Sequence, residues 1–189
     1  MITLEKLIVA AILMVSTSLA SAEIFDSLYV SFDAGKSQFL NSCRGIPDCK
    51  DNDFSHRTSL GLLVADFTNA ELGYYSSGQA MRNEGTNSSN SIDSVEWQLS
   101  GIRYIPIGDG RFSVFGRVGL VHWEAAEARI AKRIEASGNS ILLGVGGKYF
   151  ITKTTAARFQ LETHKIGNAS TTWNKDVVFL GAGILYQFH

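Results

Sequence analysis

From residue 28 onward, apolar and polar residues alternate with a period of two in eight runs: Leu28–Phe39, His56–Ala65, Ala70–Met81, Val95–Ile107, Arg111–Ala125, Asn139–Ile151, Ala156–Ile166 and Val177–Phe188. Successive side chains of a strand point to opposite faces, so this alternation predicts strands rather than helices. The breaks have a rhythm of their own. Short links ("ADFTN", "GDG", "TKTT") alternate with long polar ones: a cysteine-containing loop, "RNEGTNSSNSID", "ARIAKRIEASG" and "GNASTTWNKD". Eight strands joined alternately by tight turns and long loops predict an all-β fold, an antiparallel up-and-down barrel with a short-turn rim and a long-loop rim. One stretch reads two ways. "WEAAEARIAKRIEA", from Trp123 to Ala136, is rich in strong helix formers and could be a short amphipathic helix. In the context of the runs around it, the same stretch reads as a strand continuing into a hairpin loop.

Alternation alone does not say which face is inside, but the residue types do. In the last run Val178, Leu180, Ala182, Ile184, Tyr186 and Phe188 share one face, and Gly181, Gly183 and Gln187 the other. Phe112, Val114, Val118 and Leu120 oppose Ser113, Arg117 and Gly119, and Ala157, Phe159 and Leu161 oppose Arg158, Gln160 and Glu162. Glycine thus repeatedly shares a face with charge. A solvated outer surface gains nothing from repeated glycine, whereas a narrow eight-stranded interior needs small residues beside long charged ones. The polar face therefore points inward and the apolar face outward to lipid, where a closed barrel is the β structure that satisfies every backbone group. Parity then places Asp33, Arg57, Glu71, Glu96, Arg117, Lys148, Arg158 and Glu162 inside, four acids against four bases. Buried charges are tolerated when paired, and here the signs balance. Tyr29, Tyr74, Trp97, Tyr104, Trp123, Tyr149, Tyr186 and Phe188 lie toward strand ends, where aromatic girdles form at membrane interfaces. Arg103 falls on the outer face among Leu99, Gly101 and Ile105, which requires it to snorkel to headgroups or mark a bulge.

The first 22 residues differ from the rest. Lys6, an apolar run from Leu7 to Val15, and Ala20-Ser21-Ala22 form the layout of a secretory signal peptide with cleavage after Ala22. The apolar run is shorter than the roughly 20 residues of a membrane-spanning helix. The expected domains are therefore a signal peptide over 1–22 and one barrel domain over 23–189. Two prolines and eighteen glycines suit a β protein, and a formal net charge of −1 with interspersed signs argues against a nucleic-acid partner. Cys43 and Cys49, in an exported chain and flanking the turn formers Gly45 and Pro47, read as a disulfide. Closing so small a loop contributes about 2–3 kcal/mol in the chain-entropy account.

Candidate chemistry is sparse. Asp48, Asp51 and Asp53 lack the spacing of a calcium loop, so a solvated acidic loop is expected, with no metal and no cofactor. His122 beside Trp123 reads as an interfacial residue. A lipid-modifying hydrolase needs a His-x-Ser arrangement, but the residue two after His164 is Ile166, and Ser170 lies beyond a glycine. No catalytic residues are expected.

With "LYVSFDAGKSQF", "AELGYY", "LSGIRYIPIGDGRFSVFGRVGLVHW", "GVGGKYFITKTTAARFQLE" and "VVFLGAGILYQFH" in order, the chain resembles the OmpA-like transmembrane domain family over nearly all of its mature length. The resemblance implies an eight-stranded barrel in the outer membrane of a Gram-negative bacterium, with short periplasmic turns, long outer loops and an interior ion-pair network in place of an open pore. Glu71, Arg117 and Arg158 match interior charges of the family. Lys148 departs, standing where an acid is expected, and Ile102 replaces a basic interior position, so the pairing is expected to be rewired. The peptidoglycan-binding domain of longer members is absent from the sequence. The implied partners are outer-membrane lipids and lipopolysaccharide, the barrel-assembly machinery (through Tyr186 and the terminal aromatic Phe188, which His189 follows) and a host or surface ligand at the long loops. The function expected is non-catalytic, supporting the membrane and presenting loops; a small porin-like channel and a lipid-modifying enzyme are the alternatives.

Overall fold

The structure, a computed structural model, describes residues 27–40, 43, 49–82, 90–129, 132–167 and 175–188. The expected signal peptide, its cleavage point and His189 lie outside the described residues. The strands are β1 (Leu28–Phe39), a two-residue β2 (Cys49–Lys50), β3 (Asn52–Ala65), β4 (Thr68–Arg82), β5 (Asn90–Ile107), β6 (Phe112–Arg129), β7 (Lys132–Phe150), β8 (Thr155–Ile166) and β9 (Lys175–Gln187).

All strands except β2 form the eight staves of a closed, antiparallel, up-and-down barrel. Each stave pairs with its neighbours in sequence, and β1 pairs with β9 from Tyr29↔Gln187 to Phe39↔Val177. That seam leaves no stave with an unpaired edge on both sides of the closure, which is how a barrel removes the edge-strand hazard. β2 adds a short rung above β4 through Cys49↔Arg82 and Lys50↔Met81, and the Cys43–Cys49 disulfide ties the first long loop to it.

The ambiguous stretch is strand over its described residues, 123–129 and 132–136. β6 and β7 pair without interruption from Phe112↔Tyr149 to Arg129↔Lys132. The helical propensity of its Ala, Glu and Arg residues is overridden by cross-strand pairing, with Trp123 and Ala125 buried on one face and Glu124 exposed on the other. The helix alternative is thereby set aside.

The barrel is inside-out in polarity. Phe32, Leu60, Leu99, Val118, Leu120, Ile141, Phe159, Leu180 and Ile184 form an exposed apolar belt, with Leu180 at 65% exposure. So large a continuous apolar surface marks contact with lipid. The interior is layered. At the long-loop end Phe39, Ile92, Val121, Trp123, Leu142, Ile166 and Val177 pack together. At the short-turn end lie Tyr29, Ala156 and Leu185, with Ile102, Tyr104 and Phe115 beside them. Charge fills the middle.

Three of the aromatics expected in the girdles are therefore interior. Tyr29, Tyr104 and Trp123 are each under 5% exposed, because each shares strand parity with an inward residue: Ser31, Ile102 and Val121 respectively. Tyr74, Trp97, Tyr149, Tyr186 and Phe188 do face outward. Tyr74 and Trp97 meet edge to face at 5.2 Å, and Tyr186 and Phe188 do the same at 5.4 Å.

Glycine makes the closing seam possible. Gly35 of β1 lies opposite Gly181 of β9, and a Cβ on Gly35 would fall inside contact distance of the Leu180 carbonyl oxygen. Gly35→Val should therefore destabilise the barrel by about 1–3 kcal/mol, measured as a lower urea midpoint for loss of the heat-dependent shift in gel mobility. Gly101→Val is the control: its Cβ would meet no atom within 4 Å, and its midpoint should match the wild type.

Candidate functional site

The central layer is built by strand parity. β1 turns Ser31 and Asp33 inward, β3 Arg57, β4 Glu71, β5 Glu96, Gln98 and Ser100, β6 Arg117, and β8 Arg158, Gln160, Glu162 and His164, all of them buried. Room for these side chains comes from glycines on adjacent staves. A Cβ on Gly73 would press on the Arg57 side chain, one on Gly144 on Glu162, and one on Gly183 on Asp33.

Six of these residues form a closed ring of alternating charge. Arg158 contacts Asp33 at 2.5 Å and Glu71 at 2.7 Å. Asp33 continues to Arg57 at 3.2 Å, and Arg57 to Glu162 at 2.5 Å. Glu162 reaches Arg117 at 2.9 Å, and Arg117 returns to Glu71 at 2.9 Å. The Arg117–Glu71 contact is electrostatic only, since Arg117 Nη2 is misaligned for a hydrogen bond to Glu71 Oε1. Three arginines and three carboxylates thus cancel, each charge touching two of opposite sign. Around the ring, Arg158 donates to Ser31 Oγ at 2.8 Å, Arg117 to Ser100 Oγ at 2.9 Å, Arg57 to Gln98 Oε1 at 3.1 Å, and the Tyr29 hydroxyl to Glu71 at 3.0 Å.

Of the residues singled out from sequence, Asp33, Glu71, Arg117, Arg158, Glu162 and Arg57 meet in the ring. Glu96 stands one step above it. Its carboxylate accepts from Gln98 Nε2 at 3.0 Å and from Ser94 Oγ at 3.1 Å, and lies 2.9 Å from His164 Nε2. Lys148 is not in the ring. It pairs in register with Arg158, a like charge, and the nearby carboxylates Asp33 and Glu71 are already held by arginines. Its ammonium instead sits over the Tyr104 ring at 3.8 Å and the Phe150 ring at 4.6 Å, a cation–π site below the ring. Ile102, where a basic residue was expected, is fully buried against Tyr104 and Phe115.

His164 was weighed from sequence only as a general base; its interior role was missed. The signal was present, because it continues the parity of Arg158, Gln160 and Glu162. The serine layer above Glu96 was missed as well. Ser55 donates to Ser37 Oγ at 2.5 Å, Ser94 bonds to Ser77 Oγ at 2.9 Å, and the Tyr75 hydroxyl contacts Ser37. Small serines on β1, β3, β4 and β5 leave space for the rings of Tyr75 and Phe179, 5.4 Å apart across the lumen.

Outside the lumen, Arg103 is exposed and folds toward the β3–β4 turn, donating to Asp66 O at 2.5 Å and Thr68 Oγ1 at 2.6 Å. His122 Nδ1 lies 2.9 Å from Asn139 Oδ1 on the outer face. Asp53 is paired with Lys50 at 2.9 Å, and no group of three or more potential metal-ligating side chains occurs among the described residues.

The arrangement has known counterparts. The family model of the OmpA-like transmembrane domain matches residues 24–189. Among solved structures, Neisserial surface protein A aligns with a TM-score of 0.65 at 16% identity, over 85% of this chain and 97% of its own. The N-terminal β-barrel domain of Pseudomonas aeruginosa OprF aligns at 0.54 and 14% identity, over 84% of this chain and 97% of its own. Ail, the attachment invasion locus protein of Yersinia pestis, aligns at 0.54 and 15%, over 85% and 99%. At these identities the likeness to the solved structures is one of fold. No curated protein matches the sequence.

Removing one member of a buried ion pair leaves its partners charged and unpaired, at a cost of about 3–5 kcal/mol. Arg158→Met should lose stability on that scale in urea titrations of the refolded barrel, whereas Lys148→Met, outside the ring, should lose less than about 1 kcal/mol.

Proposed function

The chain belongs to the OmpA-like transmembrane domain family, and from that premise we propose that it is a non-catalytic outer-membrane barrel with a closed lumen, which supports the membrane and presents its long loops to the surroundings. That it is an outer-membrane β-barrel follows from the family match and the fold together. The observation that carries the rest is the layering of the lumen: a ring of six charges between two apolar layers. Water crossing the barrel would have to part ion pairs that have no solvent to replace them, and then pass packed aromatic and aliphatic side chains.

The enzyme reading finds little support. A hydrolase acting on membrane lipid needs its nucleophile and base at the lipid or loop surface. His164 is buried, and its Nε2 is turned to Glu96. The channel reading requires the ring to open, and besides its own ion pairs the hydrogen bonds it makes with Ser31, Ser100, Gln98 and Tyr29 oppose that opening.

On this reading the short turns face the periplasm, and the β6–β7 hairpin and the disulfide-tied first loop rise on the outer side. A host or surface ligand would be met there, and lipopolysaccharide would surround the outer rim. The signal peptide would be cleaved after Ala22. Tyr186 and Phe188 would serve as the assembly signal; Phe188 is backbone-bonded to Leu28 O at 3.0 Å across the seam and is exposed at its ring.

In single-channel recordings of refolded protein, planar bilayers should stay silent under conditions in which the heat-dependent mobility shift reports a folded barrel. Reproducible open-channel steps would refute the closed lumen. For assembly, Phe188→Ala should lower the amount of protein reaching the outer membrane, as measured by surface labelling, whereas removal of His189 should leave it unchanged.

A further inference from the structure

An oblique groove of about 960 Å³ crosses the outer, lipid-facing wall of the barrel. It starts near Arg103 and Thr68 beside the β3–β4 turn, passes over Gly101 and Gly116, and climbs between Val118, Leu143, Val145 and Leu161. Its floor is backbone, because Gly101 and Gly116 have no side chains and a Cβ on either would meet nothing within 4 Å. Its walls are almost entirely aliphatic. Gly116 lies directly opposite Arg103 in the β5–β6 register, so the cation stands at the groove's short-turn end. Arg103 donates to the Asp66 carbonyl and the Thr68 hydroxyl, and among the described residues no carboxylate forms an ion pair with it. Its charge is therefore available to an anion.

We propose that this groove seats one anionic glycerophospholipid of the periplasmic leaflet, its phosphate on Arg103 and one acyl chain lying in the channel over Gly101 and Gly116. The combination of an apolar trough with a single interfacial cation matches an anionic amphiphile. A phosphate on lipid A would meet the opposite, long-loop rim, so the position of Arg103 selects phospholipid. The assignment rests on the outer-membrane reading with short turns at the periplasmic side.

The test uses the whole barrel, folded in mixed micelles that contain phosphatidylglycerol, phosphatidylethanolamine and lipid A, with bound lipids counted by native mass spectrometry in mild detergent. Wild type should retain one phosphatidylglycerol. Gly116→Leu and Gly101→Leu, which fill the trough where a side chain meets no atom, should each reduce retention about tenfold or more. Arg103→Gln should abolish the preference for phosphatidylglycerol over phosphatidylethanolamine. Heat-dependent gel mobility identifies which variants are folded barrels, so loss of the barrel reading is seen separately from loss of the lipid site. Undiminished phosphatidylglycerol on a folded Leu variant, or lipid A in its place on the wild type, would overturn the proposal.

Discussion

The narrow lumen governs this molecule. Eight staves enclose a space that side chains must fill, and the middle of that space is occupied by charge. Buried charges survive there because they alternate around a closed circuit, Arg158–Asp33–Arg57–Glu162–Arg117–Glu71, in which every member has two partners of opposite sign. An open chain of the same residues would leave its two ends with one partner each. The circuit also explains the exclusion of Lys148. A fourth cation in the ring would unbalance it, so the ammonium finds its negative potential in the faces of Tyr104 and Phe150.

The rest of the sequence accommodates that layer. Glycines on neighbouring staves open space for Arg57, Glu162 and Asp33, and serines on β1, β3, β4 and β5 do the same for Tyr75 and Phe179. Beyond the serine layer on one side and beyond the ring on the other, the interior becomes apolar. Ile102 belongs to the apolar packing at the short-turn end. Outside, most of the exposed surface is large aliphatic and aromatic residues, and Gly101 and Gly116 leave the wall bare between them. Both faces thus depend on where side chains are missing as much as on where they are large.

Strand parity accounts for how much of this was legible. Once one residue of a stave is known to face inward, every second residue follows, which is why Asp33, Glu71, Arg117, Arg158 and Glu162 are legible from alternation alone. The misreadings of Tyr29, Tyr104 and Trp123 came from setting parity aside in favour of position near a strand end. His164 follows the same rule: it lies two residues after Glu162 and is buried on the same face. The stretch from Trp123 to Ala136 was ambiguous because its composition favours helix, and only pairing between β6 and β7 decides for strand.

By itself the sequence determined the number of staves, their alternation, which face is charged and which is apolar, and the cysteine pair, because these depend on local periodicity and on residues close together in the chain. Which charge meets which was decided only by the tertiary structure. Asp33 and Arg158 are 125 residues apart, and Arg57 and Glu162 are 105 apart. Their contacts depend on the stagger of all eight staves at once, and no local pattern records that stagger. The lipid-facing groove differs: Gly101 and Arg103 share β5 and Gly116 faces Arg103 across the β5–β6 hairpin, so its floor and cation depend on local pairing, and only its walls on β7 and β8 come from further along the chain.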